Sequence, residues 1–334
     1  MTNIGMTSRG SVLGKEKFEI LRQILRKQRY HLIGTHSAVK KCNWLHKALA
    51  YNIPCYKQKF YGIKTHRCVQ MTPAVIYCTL RCVYCWRLQP EDVNISWNQL
   101  RPPKWDDPET IVEGSIHEQR RILSGYKDWV LRGKLDKKTF EEAWNPNQAA
   151  ISLSGEPTLY PYLSDLIAEY KRRGFTTFLV TNGTIPKALE KLNEKPTQLY
   201  ITLPAYNKET FLRVNRPLIK DAWQRLLDSL DLMPSMSTRT VIRLTLVKGL
   251  NMKEPKKYAK LIERANPMFI EPKGYVHVGF SQKRLSRENM PTHVEIRRFA
   301  EELAEELGYY IADESPSSRV VLLSREKKVR KIGQ

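Results

Sequence analysis

Six cysteines are the residues of this 334-residue sequence best suited to chemistry, and all of them fall between Cys42 and Cys85. They form two triplets. Cys78, Cys82 and Cys85 are spaced Cys-x3-Cys-x2-Cys, and Cys42, Cys55 and Cys68 are spaced Cys-x12-Cys-x12-Cys. A disulfide framework would scatter cysteines through the fold, whereas clustered thiols in a chain of this size point to metal. Three thiolates hold three irons of a [4Fe–4S] cluster and leave the fourth iron open to a substrate-like ligand. Structural zinc prefers four protein ligands, commonly from paired Cys-x2-Cys units. Equal twelve-residue gaps match neither a zinc ribbon nor a ferredoxin run. Cys42, Cys55 and Cys68 therefore read as ligands of a second [4Fe–4S] cluster; three buried, unligated cysteines are the alternative.

The first triplet, with Tyr84 before its last cysteine, resembles the signature of the radical S-adenosylmethionine (SAM) superfamily. The resemblance implies that the open iron chelates the amino and carboxylate groups of SAM. An electron from the cluster then splits the sulfonium and yields a 5′-deoxyadenosyl radical. It also implies cofactor contacts. Ser154, Gly155 and Glu156 resemble the Gly-Gly-Glu element that meets the SAM amino group, with Ser154 in place of the first glycine. Asn182, in Thr181-Asn182-Gly183, is expected to reach SAM, and Arg243 and Asn251 stand where ribose or carboxylate contacts are often found. On residue type alone, Ser-Gly-Glu-Pro and Asn-Gly are turn signals, Arg243 is a buried ion-pair partner and Asn251 a loop residue.

With the second triplet the resemblance narrows to the tRNA 4-demethylwyosine synthase family. It runs through His36-Ser37-Ala38-Val39-Lys40-Lys41-Cys42-x-Trp44, Ser154-Gly155-Glu156-Pro157-Thr158-Leu159-Tyr160-Pro161 and Thr181-Asn182-Gly183-Thr184. Val247-Lys248-Gly249-x-Asn251, Lys273-Gly274-Tyr275 and Asn289-Met290-Pro291-x-His293 extend it to about Arg325. Thr202-Leu203-Pro204-Ala205-Tyr206 departs from the pattern where an aspartate is expected. The family implies that N1-methylguanosine, 3′ to the anticodon of phenylalanine tRNA, loses a methyl hydrogen to the radical. The carbon radical adds to the carbonyl carbon of the co-substrate pyruvate, whose carboxyl carbon is lost, and a tricyclic base closes on the exocyclic amine. The second cluster's open iron suits pyruvate, chelated through its carboxylate and carbonyl oxygens, as a Lewis acid. A lysine beside it suits a Schiff base; Lys41 is the first candidate and Lys40 the second, solvated phosphate contacts being the alternative for either. Eukaryotic members of the family carry an N-terminal flavodoxin-like domain. This chain resembles the short archaeal form, so the reductant is expected to be an external flavodoxin or ferredoxin. Another radical SAM tRNA-modifying enzyme of the methylthiotransferase type, or a non-enzymatic metal- or RNA-binding protein, is the competing reading.

The elements that must position these residues alternate. Short apolar runs at 74–77, 149–153, 177–180, 199–203, 241–247, 275–280 and 319–323 read as buried strands. Helical patterns separate most of them, which implies a parallel sheet. An α/β fold follows: a partial (β/α)6-type barrel with an N-terminal helical extension and insertions, and chemistry at the C-terminal strand ends. An amphipathic helix is expected over 18–29, and another from His36 or Ser37 through Trp44 and Leu49. Pro108 can open a helix. Trp223, Leu226, Leu227 and Leu230 mark another, and Thr292 with Glu295 caps a last one that Gly308 ends. Residues 98–144 read as an insertion. The expected division is 1–70 for the extension with the second cluster's ligands, 71–325 for the barrel and 326–334 for a basic tail.

Charge points to the partner. Lys and Arg number 56 against 34 Asp and Glu, a net +22. Such an excess favours a polyanion through counterion release, so tRNA fits better than a merely basic surface. Tyr77, Tyr84, Trp86 and the basic stretch 129–138 are candidates for base stacking and phosphate grip, and Tyr275 and His277 for the barrel mouth. No segment approaches the roughly 20 apolar residues of a membrane span. No secretory signal is evident, so a cytoplasmic monomer is expected.

Overall fold

The computed structural model describes residues 8–97 and 104–333, with backbone alone over 8–17. One ten-stranded sheet organises it, in the order β1-β2-β3-β4-β5-β6-β7-β8-β10-β9. Strands β3 (Cys68–Thr72), β4 (Gln148–Ile151), β5 (Thr176–Thr181), β6 (Gln198–Thr202), β7 (Arg239–Leu246) and β8 (Phe269–Gly274) pair in parallel. They are the six strands of an open (β/α)6-type barrel. Antiparallel strands extend both ends: β2 (Ser37–Lys40) and β1 (Tyr30–Ile33) beside β3, and β10 (Val320–Ser324) with β9 (Tyr310–Ser315) beside β8.

Helices occupy the crossovers. They are α4 (Pro108–Ser124), α5 (Lys127–Leu131) and α6 (Lys137–Trp144) before β4, α7 (Leu163–Arg172) before β5 and α8 (Pro186–Glu190) before β6. Then come α9 (Lys208–Asn215) and α10 (Ala222–Leu232), α11 (Pro255–Ala265) and α12 (His293–Leu307). Local signals set their ends. Asp107 accepts from Thr110 N at 2.9 Å and Pro108 fills the first turn, where its missing N–H costs nothing. Thr292 and Glu295 form a reciprocal capping box, and Gly308 ends α12 at φ +67°.

Side-chain alternation separates two layers. Outward residues such as Val69, Ile151, Leu179, Ile201, Ile242 and Ile270 pack in the core shared with the helices. Inward residues Phe178, Tyr200, Val241, Phe269, Val320 and Leu322 pack instead on α3 (Tyr56–Tyr61), through Tyr56, Phe60 and Tyr61. This short helix fills part of the barrel interior. It follows α2 (Asn43–Tyr51), and α1 (Ser8–Lys27) packs with the loop after β3.

Several expectations are corrected. The apolar run 74–77 is buried but is a loop, with Ile76 at φ +65°. Its strand lies earlier, at Cys68–Thr72, because Pro73 has no N–H to extend the ladder. The strand expected at 275–280 is Phe269–Gly274; its alternation is disguised by the buried Glu271 and by Pro272. Residues 37–40 are strand, and the helix begins at Asn43, after Cys42. The stretch read as an insertion contains α4, a crossover helix packed on β1, β2, β3 and α7; residues 98–103 lie outside the described residues.

Candidate functional site

Cys78, Cys82 and Cys85 lie on the loop that leaves the C-terminal end of β3, and neighbouring strand ends shape it. Gly155 is obligatory here: at φ +69°, a Cβ would sit 1.8 Å from the Ala74 carbonyl oxygen. That close approach lets Glu156 N donate to Tyr77 O at 2.7 Å. The end of α9 holds the far side, where Arg81 N and Val83 N donate to Asn215 O and Val214 O, both at 2.9 Å. Donors reach the sulfurs. Asn215 Nδ2 lies 3.1 Å from Cys82 Sγ, and Leu80 N lies 3.5 Å from Cys78 Sγ. Asn182 Nδ2 also points at Cys78 Sγ, 3.7 Å away. Burial, then the neighbouring Cys85, pushes the Cys82 thiol up to about 12, and burial pushes Cys78 well above its ordinary value.

Glu156 is buried, and its carboxylate is spoken for within the protein. Oε1 accepts from Thr181 Oγ1 at 2.6 Å and Thr158 Oγ1 at 2.7 Å, and Oε2 from Asn182 N at 2.8 Å. Burial still raises its pKa. Glu156 thus locks the ends of β4 and β5 beneath the cysteine loop, while Ser154 O accepts from Thr72 Oγ1. Tyr84 is held by Asn215 Nδ2 at 3.2 Å.

The second triplet is assembled from three separate elements. Cys42 and Cys55 are the N-cap residues of α2 and α3, neither using its side chain as a cap, and Cys68 starts β3. Helix N-termini favour negative charge, which suits thiolates. The three sulfurs feel one another: burial and then Cys42 push Cys55 up to about 11 and Cys68 up to about 12.

Beside them stands a group of charged side chains that sequence reading left out, apart from Arg243. Lys57, two residues into α3, holds its Nζ 4.8 Å from the ring centres of both Phe178 and Tyr200. Burial, then Arg243, lowers its pKa. Arg243 Nη2 lies 2.7 Å from Glu271 Oε2 and 3.0 Å from Tyr56 OH, and its guanidinium stacks 4.5 Å over Tyr200. Glu271, fully buried, also accepts from Tyr61 OH at 2.7 Å. Lys273 donates to Ser318 O at 2.6 Å; burial, then Arg243, brings its pKa down to about 8. The sequence signal for this group is charge at inward positions of strands: Arg243, Glu271 and Lys273 interrupt otherwise apolar runs.

The remaining candidates are placed as follows. Lys40 Nζ lies 4.4 Å over the Tyr30 ring, and Tyr30 is within electrostatic reach of Cys85, on the side of the first triplet. Burial, then Arg87, lowers the Lys40 pKa. Lys41 Nζ lies 5.6 Å over Tyr126, which packs with α2 and α5. Arg243 is the ion-pair partner described above. The Asn251 amide braces the loop after β7, donating to Pro204 O at 2.7 Å and Thr245 O at 2.8 Å and accepting from Val247 N at 2.6 Å. Tyr275 and His277 lie beyond β8, with Tyr275 OH 3.2 Å from His277 Nδ1. Tyr77 is buried against Phe18, and Trp86 packs on Lys40 and Arg87.

The donor sets fit clusters better than single ions. Among the described residues, no three His, Cys, Asp or Glu side chains converge closely enough to hold one metal ion. Each triplet nevertheless brings its sulfurs within electrostatic reach, and a cluster gives each thiolate its own iron. N–H donors aimed at the sulfurs of the first triplet tune such clusters.

An open parallel barrel with this cysteine loop at its C-terminal end defines a radical SAM enzyme. Residues 134–262 match the family model of the radical SAM superfamily, and residues 264–325 that of wyosine base formation. A tRNA 4-demethylwyosine synthase of Pyrococcus horikoshii is 55% identical over 308 residues, 91% of this chain and 88% of that one. The Methanocaldococcus jannaschii enzyme of the same name is 46% identical, over 93% of this chain and 97% of its own. A structure of TYW1 with a lysine–pyruvate adduct bound superposes with a TM-score of 0.83 and 44% identity, covering 94% of this chain and 97% of that one. The chain belongs to the tRNA 4-demethylwyosine synthase family. That family's radical SAM character implies SAM and a [4Fe–4S] cluster.

Proposed function

We propose that this enzyme converts N1-methylguanosine, 3′ to the anticodon of tRNA-Phe, to 4-demethylwyosine by condensation with pyruvate. The observation that carries this reading is Lys57. Its amine stands beside the second cysteine triplet, with no hydrogen-bond acceptor among the described residues, between two aromatic rings and near a guanidinium. A desolvated amine beside another cation is partly unprotonated and nucleophilic. Lys57 therefore replaces Lys41 and Lys40 as the amine that condenses with the pyruvate carbonyl. The lysine–pyruvate adduct of the structural relative supports a lysine in this role.

Cys78, Cys82 and Cys85 would hold the [4Fe–4S] cluster, which with SAM would supply the radical chemistry. Cys42, Cys55 and Cys68 would hold a second cluster, which would supply a Lewis-acidic iron. Glu156, Asn182 and Tyr84 keep the radical-forming loop rigid. Lys57 holds pyruvate while its carbonyl carbon gains the methyl-derived carbon of the base and its bond to the carboxyl carbon breaks, the one-carbon fragment carrying away the unpaired electron. The exocyclic amine of the guanine then displaces Lys57 as the ring closes. An external flavodoxin or ferredoxin supplies electrons to a cytoplasmic monomer. No helix among the described residues is long and apolar enough to cross a membrane.

The test combines reconstituted protein with reductant, SAM, pyruvate and tRNA carrying N1-methylguanosine. About eight irons per chain and a pyruvate-dependent change in tRNA mass are expected. Formation of 5′-deoxyadenosine with no change in the tRNA sinks the reading.

A further inference from the structure

The barrel interior beside the second triplet holds three basic side chains, Lys57, Arg243 and Lys273, around one buried carboxylate, Glu271. Arg243 is paired with Glu271, but neither Lys57 nor Lys273 has an ion-pair partner among the described residues. Lys273 is within electrostatic reach of Arg243, Glu271, Lys57 and Cys55. A partly buried guanidinium and ammonium that share a single carboxylate are costly unless a further anion completes the site.

The donors left over are specific. Arg243 spends Nε and Nη2 on Glu271 and Tyr56. Its Nη1 has no acceptor among the described residues and is not among their sealed, unpartnered atoms. Lys273 spends one N–H on Ser318 O, leaving two. Glu271 orients the guanidinium, and the Tyr200 ring supports it at 4.5 Å while also lying 4.8 Å from Lys57 Nζ. The Arg243 guanidinium and the Lys57 amine thus stand over one ring, and Lys273 joins them from β8, with the Tyr56 ring centre 5.0 Å from its Nζ. A carboxylate offers about four lone-pair positions to such donors.

We propose that Arg243 and Lys273 form the seat for the carboxylate of the small 2-oxo acid, presenting its carbonyl carbon to Lys57 and selecting 2-oxo acids over neutral carbonyl compounds. Glu271 is a positioning residue that fixes the guanidinium. This rests on the reading that Lys57 condenses with pyruvate. It gives the barrel its substrate selectivity: the amine reacts with any small carbonyl that enters, and the two cations favour the one with a negative charge on the adjacent carbon.

The experiment traps the adduct with cyanoborohydride on the reconstituted, iron-loaded enzyme, without tRNA, and follows mass at Lys57 against ligand concentration. Pyruvate is compared with methyl pyruvate, its neutral ester. The variants are Lys273→Gln and the charge-balanced double variant Arg243→Gln with Glu271→Gln. Arg243→Lys is held in reserve should the double variant fail to load iron. For both main variants, half-saturation by pyruvate is expected to rise about tenfold or more, the scale of losing a charged hydrogen bond. Methyl pyruvate stays within about twofold, as it never used those donors. Arg243→Lys keeps the cation and loses less. If the variants take up pyruvate as the wild type does, the carboxylate seat lies elsewhere and the role of Lys57 survives. If pyruvate and its ester weaken in parallel, the residues only shape the barrel and the proposal is overturned. If wild-type Lys57 traps no pyruvate at all, the underlying reading falls and takes this one with it.

Discussion

At the scale of single residues, position relative to the cysteines separates two kinds of lysine. Lys57 is walled by Phe178 and Tyr200 and repelled by Arg243, while Lys41 lies over Tyr126, at the packing of α2 with α5. Replacing Lys57 by Ala should cut tRNA product by about 100-fold or more, because the covalent route is lost. Iron content and uncoupled 5′-deoxyadenosine should persist. Lys41→Ala should keep turnover within about threefold and raise the KM for tRNA, as loss of a phosphate contact does. Mass analysis of the tRNA alongside 5′-deoxyadenosine measures both; equal loss from the two variants would return Lys41 to candidacy. The cysteine triplets stood out in the sequence by their spacing, and the fold brings the sulfurs of each within electrostatic reach of one another. Lys57 was not, because its character comes from burial by β5 and β6, far away in sequence. Arg243 was expected as a cofactor contact or as a buried ion-pair partner, and in the structure it pairs with Glu271 and Tyr56.

At the scale of elements, α3 is the piece on which the second site depends. It contributes Lys57, its N-cap is Cys55, and Tyr61 donates to the buried Glu271 carboxylate at 2.7 Å. Tyr61→Phe removes one donor from a buried charge and should cost about 1.5–3 kcal/mol of unfolding free energy, read by thermal or chemical denaturation. A neutral result would mean that Tyr56 and Arg243 satisfy Glu271 alone. A second joint ties α6 to the turn before Cys68, where Glu142 meets Lys64 Nζ and His66 Nε2, each at 2.7 Å. These hydrogen bonds hold the Glu142 carboxyl down at about 2, against an ordinary 4.5. The unfolded chain binds this proton more readily than the folded one. The joint is therefore fully stabilising above about pH 4.5 and weakens as pH falls toward 2. Hydrogen exchange in α6 should be faster in Glu142→Gln than in wild type at neutral pH, with the difference shrinking by about pH 3. A difference that stays constant into acid would assign the effect to packing. Most inner strands were legible as apolar runs, and α12 from its capping box. The edge strands Tyr30–Ile33 and Tyr310–Ser315 were not, since edge strands carry polar residues, and neither was Ser37–Lys40, whose four residues between β1 and β3 are too short a run to show an alternation.

On the scale of the whole molecule, the net charge of +22 and the cations of the barrel act in different dielectric surroundings. Composition made the first legible, but not its geography, because many basic residues are already engaged. Arg172 pairs with Glu169, Arg264 with Asp231 and Lys256 with Glu306, so a run of basic residues in the sequence is no map of an RNA face. The two kinds of charge can be told apart by salt. Exposed cations release counterions when tRNA binds, so affinity for tRNA should fall by about 10³-fold between 50 and 200 mM salt if some six phosphates are met. Arg243 and Lys273 lie inside the barrel, where mobile ions screen less. Half-saturation by pyruvate, followed by adduct trapping without tRNA, should therefore move by no more than about twofold over the same range. A pyruvate affinity that declines as steeply as that for tRNA would place the carboxylate at an exposed, screened site. Steady tRNA affinity across the series would instead mean that base stacking outweighs the phosphate contacts that the charge implies.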